Sequence, residues 1–402
     1  MPRFLTVRTP CISARFMYPV IFTREALAPE NPAIETAMAR PDAAGPAPVV
    51  TFVDDGVWAA WPDWASQWVR RLERRPDRFG PVAAPRRVPG GEALKNATDT
   101  VLGFARDLLR PGLDRHALVV AVGGGAVLDA VGFAASLVHR GLRVVRFPTT
   151  VLAQNDAGIG VKTGINIGGV KNAWGTFQAP HGVVADLDFL DTLEDRDWRG
   201  GLAEAWKVAL LKDAALFEAL CRDAAALGAR ERAPMASAVI RGAELHLAHL
   251  AKGGDPFELG SSRPLDFGHW AAHGLESLSS FRIGHGEAVA VGIALDTAYA
   301  VLRGWVPASV FDRLRGGLAA MGLPTWYPEM DRADGDGEPM IFQAIDAFRE
   351  HLGGALLLAF PDGLGRMREE RAVDRSVMRE ALARLRPADR AGRGATGSGS
   401  GG

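Results

Sequence analysis

The apolar run Leu118–Val122, closed by Gly123-Gly124-Gly125, constrains the fold of this chain more than any other stretch. An unbroken apolar segment this short, ending in a glycine turn, reads as a strand buried on both faces. The segment after it, Ala126–His139, is apolar nearly all round, as a buried helix is. Arg143–Phe147 then gives a second strand, ending in Pro148-Thr149-Thr150. A strand, glycine turn, helix and strand in this order predict a Rossmann-like α/β domain with a parallel sheet in the N-terminal half. Met17–Thr23 and Val49–Val53 are further strand-like runs, the second ending in the turn Asp54-Asp55-Gly56.

Beyond Asp186 strand signals thin out and helical periodicity takes over, at Gly200–Leu211, Ala214–Leu227, Met235–Ala251, His269–Leu278, Glu287–Leu302 and Ser309–Met321. The C-terminal half is therefore expected to be all-α, apart from a short apolar segment, Ala355–Phe360, that reads as a late hairpin strand. A chain of 402 residues exceeds what one hydrophobic core fills. We expect an α/β domain over 17–185 and a helical domain over 186–388. Residues 1–16 read as a disordered start, and 389–402, closing in AGRGATGSGSGG, as a flexible tail.

Composition narrows the partners. Lys plus Arg (46) nearly cancels Asp plus Glu (47), so no whole-chain field draws the protein to nucleic acid or anionic lipid. Apolar stretches are broken by Gly, His or charge well short of the ~20 residues a membrane span needs. Cys11 and Cys221 form no CxxC pair, which fits a reducing cytoplasm.

The glycine turn lets backbone approach a pyrophosphate, and the helix after it offers free N–H groups; Asp129, one turn in, suits a ribose or nicotinamide-side contact. Alone, the three glycines fit a plain tight turn equally well, and their spacing is not GxGxxG. Glu92 and Lys95, one helical turn apart, fit either an exposed ion pair or a sheet-edge site. Thr149–Gly175 is long, glycine-rich and carries Asp156, Lys162, Lys171 and Asn172, a set that suits phosphate or several hydroxyls, against the alternative of a solvated hairpin. Glu204 and Lys207 share one helix face, as do His269 and His273, with Glu276 continuing the latter; His285 opens the next helix between glycines. Two histidines and a glutamate form a common divalent-metal set with open positions for substrate oxygens. His246 and His249 read as structural, with substrate contact the lesser alternative.

With these residues in order, the chain resembles 3-dehydroquinate synthase and the sugar phosphate cyclases from about Met17 to Leu385. The runs GGGAVLDAVGFAAS, FPTTVLAQNDAGIGVKTGIN, GGVKNAWGTFQAP, GLAEAWKVALL, DFGHWAAH and HGEAVAVGIAL look like that family's signature blocks, in its order. The resemblance implies an NAD site at Asp54, Glu92, Lys95, Gly124, Gly125, Asp129, Thr149 and Thr150. It implies a divalent metal, zinc or cobalt, on Glu204, His269 and His285. It further implies substrate contacts from Asp156, Lys162, Lys171, Asn172, Lys207 and His273, and from Arg140 reaching across a homodimer. The chemistry implied is transient oxidation of a ring alcohol, phosphate elimination, return of the hydride, ring opening and intramolecular aldol closure.

One departure bears on substrate. Where dehydroquinate synthases carry an Arg and an Asn that grip the substrate carboxylate, this chain has Ser262 and Asp266, with Arg263 and Pro264 between them. An aspartate there repels a carboxylate. The Arg-Pro-x-Asp-Phe-Gly-His form is similar to cyclases of sedoheptulose 7-phosphate and to Ebo-cluster dehydroquinate-synthase-like proteins, whereas His273 follows the dehydroquinate synthase pattern. Lys252 lies out of register with the family's usual lysine. The leading expectation is a 3-dehydroquinate-synthase-like carbon–oxygen lyase acting on a seven-carbon sugar phosphate. The alternatives are a sedoheptulose 7-phosphate cyclase, a metal-dependent polyol or glycerol dehydrogenase, and a non-catalytic binding protein.

Overall fold

The computed structural model describes residues 8–11, 15–41, 45–110, 112–168, 170–252, 266–351 and 356–387. Its N-terminal elements are β1 (Val20–Thr23), α1 (Ala33–Ala37), β2 (Ala47–Asp54), α2 (Asp55–Ala60), α3 (Trp64–Glu73), β3 (Phe79–Val82), β4 (Arg86–Val88), α4 (Ala93–Asn96), α5 (Thr98–Asp107), β5 (Leu118–Gly123), α6 (Gly125–Leu137), β6 (Arg143–Pro148), β7 (Lys162–Ile167), β8 (Val170–Phe177) and β9 (Gly182–Asp186). There follow α7 (Asp195–Gly200), α8 (Ala203–Lys212), α9 (Ala214–Gly228), α10 (Arg232–Lys252), α11 (His269–Leu278), α12 (His285–Leu302), α13 (Ala308–Ala320), α14 (Gln343–His351), β10 (Leu358–Pro361), β11 (Met367–Glu370) and α15 (Arg375–Leu385).

The main sheet has seven strands in the order β1-β9-β6-β5-β2-β3, with β4 also on β2, and every pairing is parallel. Its centre is the apolar run that opened the sequence argument: every residue of β5 is buried, and Val120 pairs with Thr51 on one side and Val145 on the other. Separate apolar clusters cover the two faces, one around Leu128, Val131 and Phe104, the other around Trp64, Trp68 and Phe147. Gly123 permits the close approach of α6, because a Cβ there would stand 2.8 Å from that of Val127. The expected α/β class is observed, with a largely helical C-terminal part.

That part is organised on α12, in which every residue from Ala288 to Ala300 is buried. Around it pack α8, α11, α13 and α15, with Trp198, Trp206 and Trp270 among the largest side chains fully buried. The expected helix Gly200–Leu211 is α8, which starts three residues later at Ala203, with α7 ending at Gly200 just before it, and the late strand belongs to the antiparallel β10–β11 hairpin. No helix among the described residues is long and apolar enough to cross a membrane. The flexible-tail expectation for 389–402 lies outside the described residues, as does most of the disordered start.

The largest difference is in Thr149–Gly175. It forms a π-helical turn, Ala153–Ala157, and then the antiparallel β7–β8 hairpin, the arrangement the sequence offered as the alternative to a binding loop. Four consecutive residues of β7, from Thr163 to Asn166, are buried, whereas nearly all of β8 is exposed. Arg146, fully enclosed, donates to the carbonyls of Gly158 (3.2 Å) and Gly160 (2.7 Å), so a β6 side chain supports the glycine turns that lead into the hairpin.

Candidate active site

Three helix starts converge on one point. Glu204 sits in the first turn of α8, His269 begins α11 and His285 begins α12. Glu204 Oε1 lies 3.3 Å from His269 Nε2 and 3.8 Å from His285 Nε2, and the three donor atoms lie within 4.8 Å of one another. The remaining ring nitrogens are engaged. His269 Nδ1 is 3.1 Å from the Phe267 carbonyl, and His285 Nδ1 is 3.4 Å from Glu276 Oε1. In the neutral rings, acceptors at Nδ1 hold the proton there and leave Nε2 as a lone pair, the tautomer a metal requires. A carboxylate and two imidazoles so disposed fit a divalent ion with positions left open for substrate oxygens.

The electrostatics match. Burial opposes ionisation of Glu204, yet Lys207, His269 and His285 hold its carboxyl well below the ordinary range. Burial likewise opposes charge on Lys207, and Glu204 and Asp156 outweigh it, so the amine stays above its ordinary value. His273 is pushed down to about 3 by burial and by the neighbouring His269 and His285.

Gly268 explains how His269 is presented. Its φ is 75°, a left-handed conformation suited to glycine, and its N–H donates to Asp296 Oδ2 at 3.0 Å. The residue on the other side of the ligand, Trp270, donates its indole N–H to Asp296 Oδ1 at 2.9 Å. One carboxylate, 1% exposed, thus holds both neighbours of His269.

Two cavities meet at this point. The first, about 490 Å³, runs over the glycine turn and is lined by Asp54, Gly124, Gly125, Thr149, Thr150 and His285, among others. The second, about 420 Å³, is lined by Asp129, Asp156, Lys162, Asn172, Lys207 and His273, and also by His246, Asp266, His269 and His285. His285 is shared by both. An anionic, elongated molecule over the N-terminus of α6 would end beside the three-ligand cluster.

Some expected residues stand behind these walls. Lys95, 4% exposed, donates to Asp129 Oδ2 at 2.8 Å and to Asn172 Oδ1. Glu92 accepts from Asn166 at 3.2 Å, and Asn166 in turn accepts from the Asn172 N–H at 2.9 Å. Lys171 donates to Glu276 Oε1 at 2.9 Å, so it sits behind His285. Arg140 lies on the exposed turn after α6 and lines neither cavity. Sequence reasoning gave no role to Arg146 and none beyond a shared helix face to Glu276. The i,i+3 step from His273 to Glu276 was the available signal for the latter.

Comparison with known proteins is consistent along the chain. Residues 86–200 match the 3-dehydroquinate synthase N-terminal family model and residues 201–336 the 3-dehydroquinate synthase C-terminal model. A 3-dehydroquinate synthase of Paracoccus denitrificans (strain Pd 1222) is 38% identical over 303 residues, covering 74% of this chain and 81% of that one. The chain belongs to the 3-dehydroquinate synthase family. Among solved structures, the 2-epi-5-epi-valiolone synthase ValA from Streptomyces hygroscopicus subsp. jinggangensis 5008, with NAD+ and Zn2+ bound, superposes with a TM-score of 0.82 at 30% identity, covering 96% of this chain and 100% of that one. A 2-deoxy-scyllo-inosose synthase complexed with carbaglucose-6-phosphate, NAD+ and Co2+ has a TM-score of 0.73 at 22% identity, covering 90% and 95%, a likeness of fold.

Against the 3-dehydroquinate synthase pattern, the departures can now be placed. Asp266 lines the second cavity, and its charge helps to raise the Lys207 amine. Ser262, Arg263 and Pro264 lie outside the described residues. Lys252 is exposed at the end of α10 and lines neither cavity, whereas His246 of the same helix does. The sequence reading favoured a structural part for His246; in the fold it lies on the cavity wall, 2.8 Å from Asp156.

Proposed function

We propose that this member of the 3-dehydroquinate synthase family is an NAD- and divalent-metal-dependent sugar phosphate cyclase whose substrate is a seven-carbon ketose phosphate without a carboxylate, of the sedoheptulose 7-phosphate kind. The observation that carries the choice is Asp266 on the wall of the second cavity, beside Lys207, His269 and His273. A fixed negative charge there disfavours a carboxylated heptulosonate and tolerates neutral hydroxyls. The likeness to a valiolone synthase over 96% of the chain supports this reading. So does the Arg263-Pro264-x-Asp266 sequence pattern, which also suggests the Ebo-cluster branch.

In this reading Asp54, Gly124, Gly125, Thr149 and Thr150, which line the first cavity, would hold NAD. Lys95 with Asp129, and Glu92 through Asn166 and Asn172, form a network that would support that cofactor. Glu204, His269 and His285 hold zinc or cobalt. Bound together, the two cofactors supply reversible oxidation of a ring alcohol, which acidifies the neighbouring C–H.

The chain's own residues do the rest. Lys207, kept charged by Glu204 and Asp156, offers a donor to a developing oxyanion. Lys162 and Asn172, on the hairpin, orient phosphate and hydroxyls. His273, its basicity lowered by burial, presents an uncharged imidazole to the same space. Lys171 acts at one remove, through Glu276 and His285.

We further propose a homodimer, with domains dividing near Asp186. β8 exposes Val170, Trp174 and Phe177, and Leu137 is exposed near the turn that carries Arg140. A second copy covering this patch would bring that Arg140 toward the substrate's phosphate.

The test is incubation with NAD and zinc or cobalt, separately with sedoheptulose 7-phosphate and a heptulosonate 7-phosphate, reading inorganic phosphate and product mass. Brisk conversion of the carboxylated substrate alone would refute the assignment.

A further inference from the structure

Along α10, His246 and Leu250 reach the second cavity among the described residues, and His246 is 7% exposed. The ring is confined on two sides. Its Nδ1 stands 2.8 Å from Asp156 Oδ1, on the π-helical turn. On the other side, a Cβ at Gly160 would lie 3.6 Å from its Nε2, and the Gly160 carbonyl is fixed by Arg146 at 2.7 Å. Nδ1 faces the Asp156 carboxylate at ion-pair distance, so Nε2 is the ring atom left for a ligand in the cavity.

We propose that His246, held by Asp156, contacts a substrate hydroxyl and selects a polyol end over a carboxylate end. The inference rests on the cyclase reading above and adds a second specificity residue to Asp266, from a different helix. Its physical basis is charge and donor count. An imidazole paired with a carboxylate carries no net charge when protonated and one negative charge when neutral, so in neither state does the pair attract a carboxylate as an ammonium would. A hydroxyl both donates and accepts, so it satisfies Nε2 in either state; a carboxylate only accepts, and it satisfies Nε2 in one.

The experiment compares wild type with His246→Lys and His246→Ala, measuring kcat and KM by phosphate release on sedoheptulose 7-phosphate and on a heptulosonate 7-phosphate, with thermal melts to verify folding. His246→Lys is expected to shift the ratio of the two kcat/KM values at least about tenfold toward the carboxylated substrate, the scale of one charged contact. His246→Ala is expected to raise KM for the polyol substrate by about threefold to tenfold, the scale of one hydrogen bond. A packing role would lower both substrates' kcat/KM together and leave the ratio where it was. An unmoved ratio in folded His246→Lys overturns the inference. Should that variant not fold, an unchanged KM in His246→Ala overturns it. Wild-type protein inert toward both sugar phosphates removes the cyclase reading itself, an outcome separate from an active wild type with an unmoved ratio.

Discussion

Glu276 stands behind His285: its Oε1 lies 3.4 Å from His285 Nδ1, on the ring edge away from the Nε2 that faces Glu204. Burial opposes ionisation of Glu276, but the His285 hydrogen bond and the charges of His285 and Lys171 hold its carboxyl down at about 2. It therefore remains an anion able to orient the imidazole. Glu276→Gln is expected to weaken divalent-metal binding by about 10–100-fold while leaving the fold intact. Calorimetric titration of metal-free protein with Co2+ or Zn2+ checks this, and wild-type affinity in the variant would contradict it.

Asp296 predicts a pH dependence of stability. Burial raises its carboxyl from 3.8 to about 7, against the opposing effect of the Trp270 and Gly268 donors. The folded chain therefore keeps this proton where the unfolded chain has lost it. The stabilising contribution is complete below 3.8 and falls as pH rises toward about 7, with a slope of up to about 1.4 kcal/mol per pH unit. Asp296→Asn cannot ionise, so the wild-type minus variant difference in urea-unfolding free energy should decline over that window. A difference independent of pH would contradict it.

Gly292 and Gly268 pack backbone to backbone. A Cβ at Gly292 would collide with the Gly268 carbonyl oxygen, and no flexible side chain is there to yield. Gly292→Ala should cost roughly 1–3 kcal/mol or more by overpacking. It should also disturb His269, the residue that follows Gly268. Thermal melts together with a Co2+ absorption spectrum separate the two effects; an unaltered melting temperature would count against the packing described.

Asp266→Asn removes the charge on which the substrate assignment rests. Its kcat/KM on a carboxylated heptulosonate phosphate should improve about tenfold relative to wild type, the scale of ~1.4 kcal/mol. No change in that ratio would mean that Asp266 does not face the discriminating end of the substrate.

Much of this was legible in the sequence, for reasons that differ by element. The strand Leu118–Val122 and its glycine turn were readable because burial on both faces leaves an unbroken apolar run. His269 and His273 were readable as a pair because helical spacing is local. The hairpin of Thr149–Gly175 was legible only as an alternative, because its glycines interrupt the apolar pattern and β7 buries four residues in a row, Thr163 to Asn166, instead of every second one. Lys171, which the resemblance places at the substrate, meets Glu276, 105 residues away along the chain. A partner that distant leaves no periodic trace. Arg146 carried no sequence signal of its own within the strand Arg143–Phe147, and only the fold shows the carbonyls it supports.

The most direct test of the account follows phosphate release and absorbance at the NADH wavelength together, as wild type and Glu204→Gln act on sedoheptulose 7-phosphate. Wild type should release phosphate and form a cyclised product with no net NADH, and Glu204→Gln should do neither. Sustained NADH accumulation without phosphate, or phosphate release that the substitution leaves unchanged, would contradict it.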